Sequence, residues 1–140
     1  MSDVAIDKVF RLEEVMADLP QVGIVTWHVL HGGMYARTIQ IPAGTALTGA
    51  LVKVPTILTV NGDVTVFAND VEMRMTGYNV IPASAGRKQA FIAHADTDLT
   101  MVFTTEVDNI SDAEEQFTDQ AVQLMSRAEE AVNYVTITGE

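Results

Sequence analysis

Apolar residues change their spacing twice along this chain, and the two changes divide it into three parts. Near the N-terminus Val9, Phe10, Leu12, Val15, Met16 and Leu19 recur at the spacing of one helical face. The pattern predicts a helix over 4–19, ending before Pro20, whose ring cannot continue the hydrogen-bond ladder. From 23 to 105 the pattern becomes short runs of Val, Ile, Thr and Phe broken by turn residues. Strands are predicted near 23–30, 34–41, 45–52, 56–60, 64–68, 71–75, 78–81, 88–93 and 99–105. Asn61-Gly62 predicts a hairpin turn, because both residues tolerate positive φ, and Gly32-Gly33 reads as another turn. Further on, Ser111 and Glu114 have the spacing of a capping box. Phe117, Ala121, Leu124, Met125, Ala128 and Val132 then recur at intervals of mostly three or four. This predicts a long C-terminal helix over 111–132, laid on the β part or on a partner chain. The tail 134–138 has the composition of an added edge strand.

Composition narrows the class. A length of 140 residues suits one domain with one core, and 48% hydrophobic content argues against disorder. No apolar run reaches the length of a membrane-spanning helix, and the first residues lack a signal-peptide pattern. With no Cys, thiolate chemistry and disulfides are excluded. A cytoplasmic protein is the expectation. The charge of -11 is uneven: 1–19 carry -3, 20–105 carry 0 and 106–140 carry -8. Phosphate neutralisation needs clustered Lys and Arg, so direct nucleic-acid binding is not expected. The acidic flanks read as solvated faces.

Many short strands at close intervals predict a mainly β sandwich or barrel. Pro42-Ala43-Gly44-Thr45, Gly62-Asp63-Val64, Gly77-Tyr78-Asn79-Val80-Ile81-Pro82 and Ala85-Gly86 resemble the cupin superfamily, over roughly residues 34 to 104. The resemblance implies a single jelly-roll barrel with a pocket inside its mouth, here flanked by an N-terminal and a long C-terminal helix. Gly33-Met34-Tyr35-Ala36-Arg37 and His94-Ala95-Asp96-Thr97 also resemble small cupin-like proteins of tailed bacteriophages. That would place the chain in a host cytoplasm. Many cupins carry His, His, Glu and a further His as metal ligands. Counting from Gly62 and Gly86, those positions hold Gly49, Leu51, Pro55 and Gln89. None is an ordinary transition-metal ligand. No metal and no cofactor are expected.

The pocket could still hold something. Period-two alternation groups Gly49, Leu51 and Lys53 on one face, and Gln89 with Phe91 on another. One cation, one amide and an apolar wall would suit a small anionic or polar ligand. The bland alternative is that Leu51 and Phe91 fill the barrel. His28 is a candidate pocket residue and, like His31 and His94, otherwise a surface or hydrogen-bonded histidine. Three residues apart on a strand, His28 and His31 point to opposite faces. Arg87-Lys88 follows a turn and reads as solvent-facing, able to meet a phosphate or an acidic partner. Trp27 reads as core or interface, and Met73 with Met75 as packing. No catalytic set is assigned. Two readings remain open. One is a metal-free structural or interaction module, a homodimer built on the 117–132 stripe. The other is a small-molecule binder or enzyme using the barrel pocket.

Overall fold

The computed structural model describes residues 2–16, 23–68 and 71–139. Helix α1 (Asp3–Met16) is capped by Ser2, whose Oγ accepts the Ala5 amide at 3.1 Å. Ala5 and Val9 are buried, and Glu13 continues their face one turn further on. Leu19 and the side chains of Val15 and Met16, part of the expected stripe, lie outside the described residues.

Eight strands follow among the described residues: β1 (Val25–His31), β2 (Met34–Ile41), β3 (Ala46–Thr48), β4 (Thr56–Ala68), β5 (Val71–Ala83), β6 (Ala90–Ala93), β7 (Thr97–Thr104) and β8 (Val132–Ile137). They form one curled sheet in the order β3-β6-β4-β7-β2-β1-β8, with β5 on β4. Pairing is antiparallel except between β1 and β8. Gly32 and Gly33 join β1 to β2 as expected, both at positive φ, which a two-residue hairpin turn needs.

Asn61-Gly62 does not form a turn. It lies inside β4, where the strand changes neighbour from β7 (Ile57 to Asn61) to β6 (Val64 to Phe67). Gly62 is required there for two reasons. Its φ is +149°, and an added Cβ would lie 2.5 Å from Thr97 Oγ1 and 2.8 Å from the Asp96 carbonyl oxygen. The freedom of glycine is spent on a bend and a close approach, not on a reversal. Four short predicted strands thereby merge into two of 13 residues each, β4 and β5. The strand expected over 45–52 shortens to β3, and the one over 88–93 to β6.

The inner face of the sheet buries Leu30, Tyr35, Ile41, Val60, Val64 and Leu99. Phe103 meets Tyr35 edge-on at 5.5 Å and Phe117 at 6.1 Å. Phe117 belongs to the C-terminal cover, which departs most from expectation. Helix α2 spans only Ile110–Phe117, and two 3-10 turns follow at Ala121–Gln123 and Met125–Arg127. The cap is Asn109, whose side chain accepts the Asp112 amide at 2.9 Å, so Ser111 and Glu114 form no capping box. The helix breaks because Glu114 accepts hydrogen bonds from both Ser126 and Arg127. In an unbroken helix, residues twelve apart would stand about 18 Å from each other. The 117–124 stripe still packs, with Phe117, Ala121 and Leu124 in the core, because turns of either kind keep three-residue neighbours on one side. The tail adds β8 beside β1, as its composition suggested.

Candidate ligand cavity under the C-terminal cover

A cavity of about 140 Å³ lies between the curled sheet and the C-terminal cover. Its sheet wall is apolar: Ile39, Leu47, Leu58, Phe91, Leu99 and Met101. Phe117, Leu124 and Met125 face them from the cover, and Glu13 reaches in from α1. Arg37, Thr48, Arg87, Gln89, Gln120 and Gln123 supply its polar side chains, and Gly49, Ala50 and Val52 complete the lining. A smaller cavity of about 80 Å³ shares Leu58, Gln89 and Phe91, so these three form the partition between the two.

The charged groups at the wall are held in place. Glu13 Oε2 accepts from Thr48 Oγ1 at 2.8 Å and from Lys88 Nζ at 2.9 Å. Lys88 also donates to the Gly49 carbonyl and to Gln120 Oε1, and its ammonium sits 4.5 Å from the centre of the Phe10 ring. Arg87 ties the end of β5 to the start of β4. Its Nη1 donates to the Ser84 carbonyl at 2.8 Å and the Ala83 carbonyl at 3.3 Å, and its Nη2 to Thr56 Oγ1 at 2.7 Å. Burial pushes the Arg87 guanidinium below its ordinary pKa. The expectation that Arg87-Lys88 faces solvent is therefore corrected: Arg87 is 7% exposed and Lys88 0%. Following a turn says where the backbone reverses, not which way the side chains go.

Arg37 enters from β2 and joins a polar network behind the cavity. Its Nη1 donates to Glu114 Oε2 at 2.7 Å and its Nη2 to Ser126 Oγ at 2.9 Å, and the guanidinium carbon lies 5.5 Å from the Phe117 ring centre. Ser126 Oγ donates to the same Glu114 oxygen at 2.7 Å, and Arg127 Nε to the other at 2.9 Å. Burial alone would raise the Glu114 pKa. The hydrogen bonds from Ser126, Arg127 and Arg37, with the Arg37 charge, outweigh it and hold the carboxyl below its ordinary value.

The network continues to His28. Asn133 Nδ2 donates to the Ser126 carbonyl at 2.7 Å, which fixes the amide so that Oδ1 accepts from His28 Nε2 at 2.7 Å. His28 Nδ1 is then bare and accepts the Tyr35 hydroxyl proton at 2.7 Å. A neutral imidazole satisfies both contacts, and burial lowers the His28 pKa accordingly. Burial raises that of Tyr35.

The residues singled out in the sequence disperse. Gln89 and Phe91 line the cavity. Leu51 does not; its amide binds Gln120 Oε1 at 2.8 Å, and 49–55 is largely irregular rather than strand, so the expected alternation with Lys53 does not arise. Lys53 pairs with Asp119 on the surface at 2.7 Å. His28 sits in the network just described, His31 against Thr138, and His94 Nε2 at 2.7 Å from Thr65 Oγ1. Of the four positions implied as metal ligands, Gly49 and Gln89 reach the cavity. Their side chains do not fit a metal, and among the described residues no three His, Cys, Asp or Glu converge. Trp27 stacks on Tyr134 at 5.8 Å, at the surface, and Met73 is 53% exposed rather than packed. Sequence reasoning missed Glu13, Arg37 and Glu114. A faint signal existed: Glu13 falls four residues beyond Val9, and Arg37 keeps period two with Tyr35, so both interrupt apolar faces.

No family model and no curated protein matches the chain by sequence. Solved structures match it by fold. A cupin superfamily protein from Desulfitobacterium hafniense superposes with a TM-score of 0.50 at 8% identity, over 64% of this chain and 84% of that one. A cupin 2 conserved barrel domain protein from Leptotrichia buccalis gives 0.50 at 11% identity, over 64% of this chain and 44% of that one. At such identities the likeness establishes a cupin-type fold and nothing about activity.

Proposed function

We propose that this cupin-fold chain binds a small molecule in the cavity between its sheet and its C-terminal cover. One observation carries the reading. Protein interiors are close-packed, and a core serving only as a scaffold closes over its voids. Here about 140 Å³ stays open. The Gln89 side-chain amide at its wall has no hydrogen-bond partner among the described residues. Apolar walls with few polar groups are the usual make-up of small-molecule sites. The wall lacks the donor set of a metal centre, so binding rather than metal-dependent turnover is the activity proposed. Ala50 also lines the cavity. Ala50→Phe should fill it and abolish ligand-induced shifts in amide NMR spectra, while the parent chain shows them at Gln89, Phe91 and Leu99. A fragment library that perturbs none of these residues would refute the reading.

A second reading, self-association, is favoured by β8. All six of its residues are exposed, its outer edge is unpaired among the described strands, and Val132, Asn133, Tyr134, Val135, Thr136 and Ile137 carry no charge in a chain of net -11. An uncharged strand edge is where two acidic copies can meet without repulsion. Light scattering should give a dimer mass that Val135→Lys reduces to a monomer; a monomeric parent chain removes this reading. The two segments behind the phage resemblance have structural duties here. Tyr35 and Arg37 belong to the buried network, and Thr97 donates to the Asp63 and Ala95 carbonyls. They support no functional assignment.

No helix among the described residues is long and apolar enough to cross a membrane.

A further inference from the structure

We propose that the ligand is a small organic anion, a carboxylate on an apolar body; this rests on the binding reading above and deepens it. Residues 20–105 carry five acids and five bases, so on paper they are neutral. The fold separates the two signs. Three of the five bases, Arg37, Arg87 and Lys88, are buried. Of the acids, Asp63, Glu72, Asp96 and Asp98 are exposed or half-buried, and none is paired with those three bases.

The compensation inside is incomplete. Lys88 is matched by Glu13. Arg37 shares Glu114 with Arg127, so two guanidinium groups face one carboxylate. Arg87 has only carbonyl and hydroxyl acceptors, with no carboxylate among the described residues within ion-pair distance. The interior therefore holds an excess of positive charge inside a strongly acidic protein. Buried charge without a counter-ion is costly, and an anion entering the cavity would relieve it.

Donors for that anion are also on hand. Arg37 and Arg87 both line the cavity. Each commits Nη1 fully and Nη2 once, leaving Nε–H and one Nη2–H without an acceptor among the described residues. A guanidinium matches a carboxylate better than any other side chain does. The Gln89 amide adds a neutral donor. In the rest of the lining, Leu47, Leu58, Leu99, Met101 and Leu124 offer the ligand body only hydrocarbon and thioether.

The probes are hexanoate, hexanamide and 1-hexanol, which share a tail and differ in the head. Binding is read by NMR titration of the full chain at pH 7, on backbone amides and on arginine Nε–H resonances. Hexanoate should bind at least about tenfold more tightly than either neutral probe, since charge-assisted hydrogen bonds are roughly twice as strong as neutral ones. It should move two buried arginine Nε–H signals. Gln89→Leu, which removes an unpartnered amide and keeps an apolar wall, should weaken hexanoate and leave 1-hexanol unchanged. If the neutral probes bind in the cavity as well as hexanoate, or if they move cavity residues while hexanoate moves only surface resonances, the anion proposal is overturned and the cavity reading stands. If no probe perturbs the cavity residues, both fall.

Discussion

Glu114→Gln removes the charge that holds the C-terminal cover to the sheet while keeping the shape of the side chain. Its two oxygens accept from Arg37 at 2.7 Å, Ser126 at 2.7 Å and Arg127 at 2.9 Å. The Arg37 and Glu114 side chains are 8% and 4% exposed, so neither can turn to water when its partner is lost. Removing one member of such a pair costs about 3–5 kcal/mol. Arg127 is 26% exposed and can rehydrate, which places the expected loss near the lower end, about 3 kcal/mol. The contrast is Asp119→Asn. Its partner Lys53 is just as close, at 2.7 Å, but the two side chains are 87% and 45% exposed, so the expected loss is about 0–1 kcal/mol. Urea unfolding at pH 7 measures both, from the midpoint and the slope. Acid supplies a second check. In the folded chain the Glu114 carboxyl is held below its ordinary value of 4.5, so the unfolded chain takes up the proton first. The contribution of this carboxylate is complete above about pH 4.5 and fades as pH falls further. The gap between the parent chain and Glu114→Gln should narrow over that range. If the two variants are equally stable at pH 7, the network is not what holds the cover in place.

His28 should add an earlier acid-sensitive step. Its pKa in the folded chain lies below the ordinary 6.5, so its contribution is complete above about pH 6.5 and is lost as pH falls through the lowered value; His28→Gln should abolish that step in pH-dependent unfolding. Leu124→Ala, 8% exposed against the core, should cost about 2–5 kcal/mol, whereas Val122→Ala, 81% exposed, should stay within about 0.5 kcal/mol on the same denaturation curve. Gly62→Ala, which meets both positive φ and a 2.5 Å clash, should unfold well before Gly44→Ala, where φ is +79° and nothing lies within 4 Å; Gly44→Ala should cost about 1 kcal/mol. Equal losses at the two glycines would mean that β4 can bend without the close approach to Thr97.

Strand content, the N-terminal helix and the β1–β2 turn were legible because period-two and helical patterns there agree with tertiary structure. Asn61-Gly62 misled because a turn and a strand bend ask the same thing of a glycine, and only the position of Thr97 separates them. The 111–132 helix misled for a similar reason. Its stripe of Phe117, Ala121 and Leu124 suits helical and 3-10 turns alike, and the break is set by Ser126 and Arg127 folding back onto Glu114, which apolar spacing does not record. The cavity was half legible. Gln89 follows from counting on from Gly86 and Phe91 from period-two alternation with it, whereas pairing Leu51 with Lys53 assumed a strand that stops at Thr48. Glu13 went unassigned, Arg37 entered only through a family resemblance and Glu114 only as half of a capping box, because a buried ion pair between distant segments leaves no local periodicity of its own.

The change of neighbour at Gly62 also bears on how the chain assembles. β4 pairs with β5, the next strand in sequence, along its whole length, and this contact is local. Its other side is completed by two strands that arrive later, β6 on one half and β7 on the other. Loop closure favours the near pairing first. The β4–β5 hairpin is then an early template, with the bend at Gly62 already marking where β6 ends and β7 begins. β8 must join last, because its partner β1 lies near the opposite end of the sequence. Amide exchange should follow the reverse order, with β8 opening at the least cost and the centre of β4 only on global unfolding.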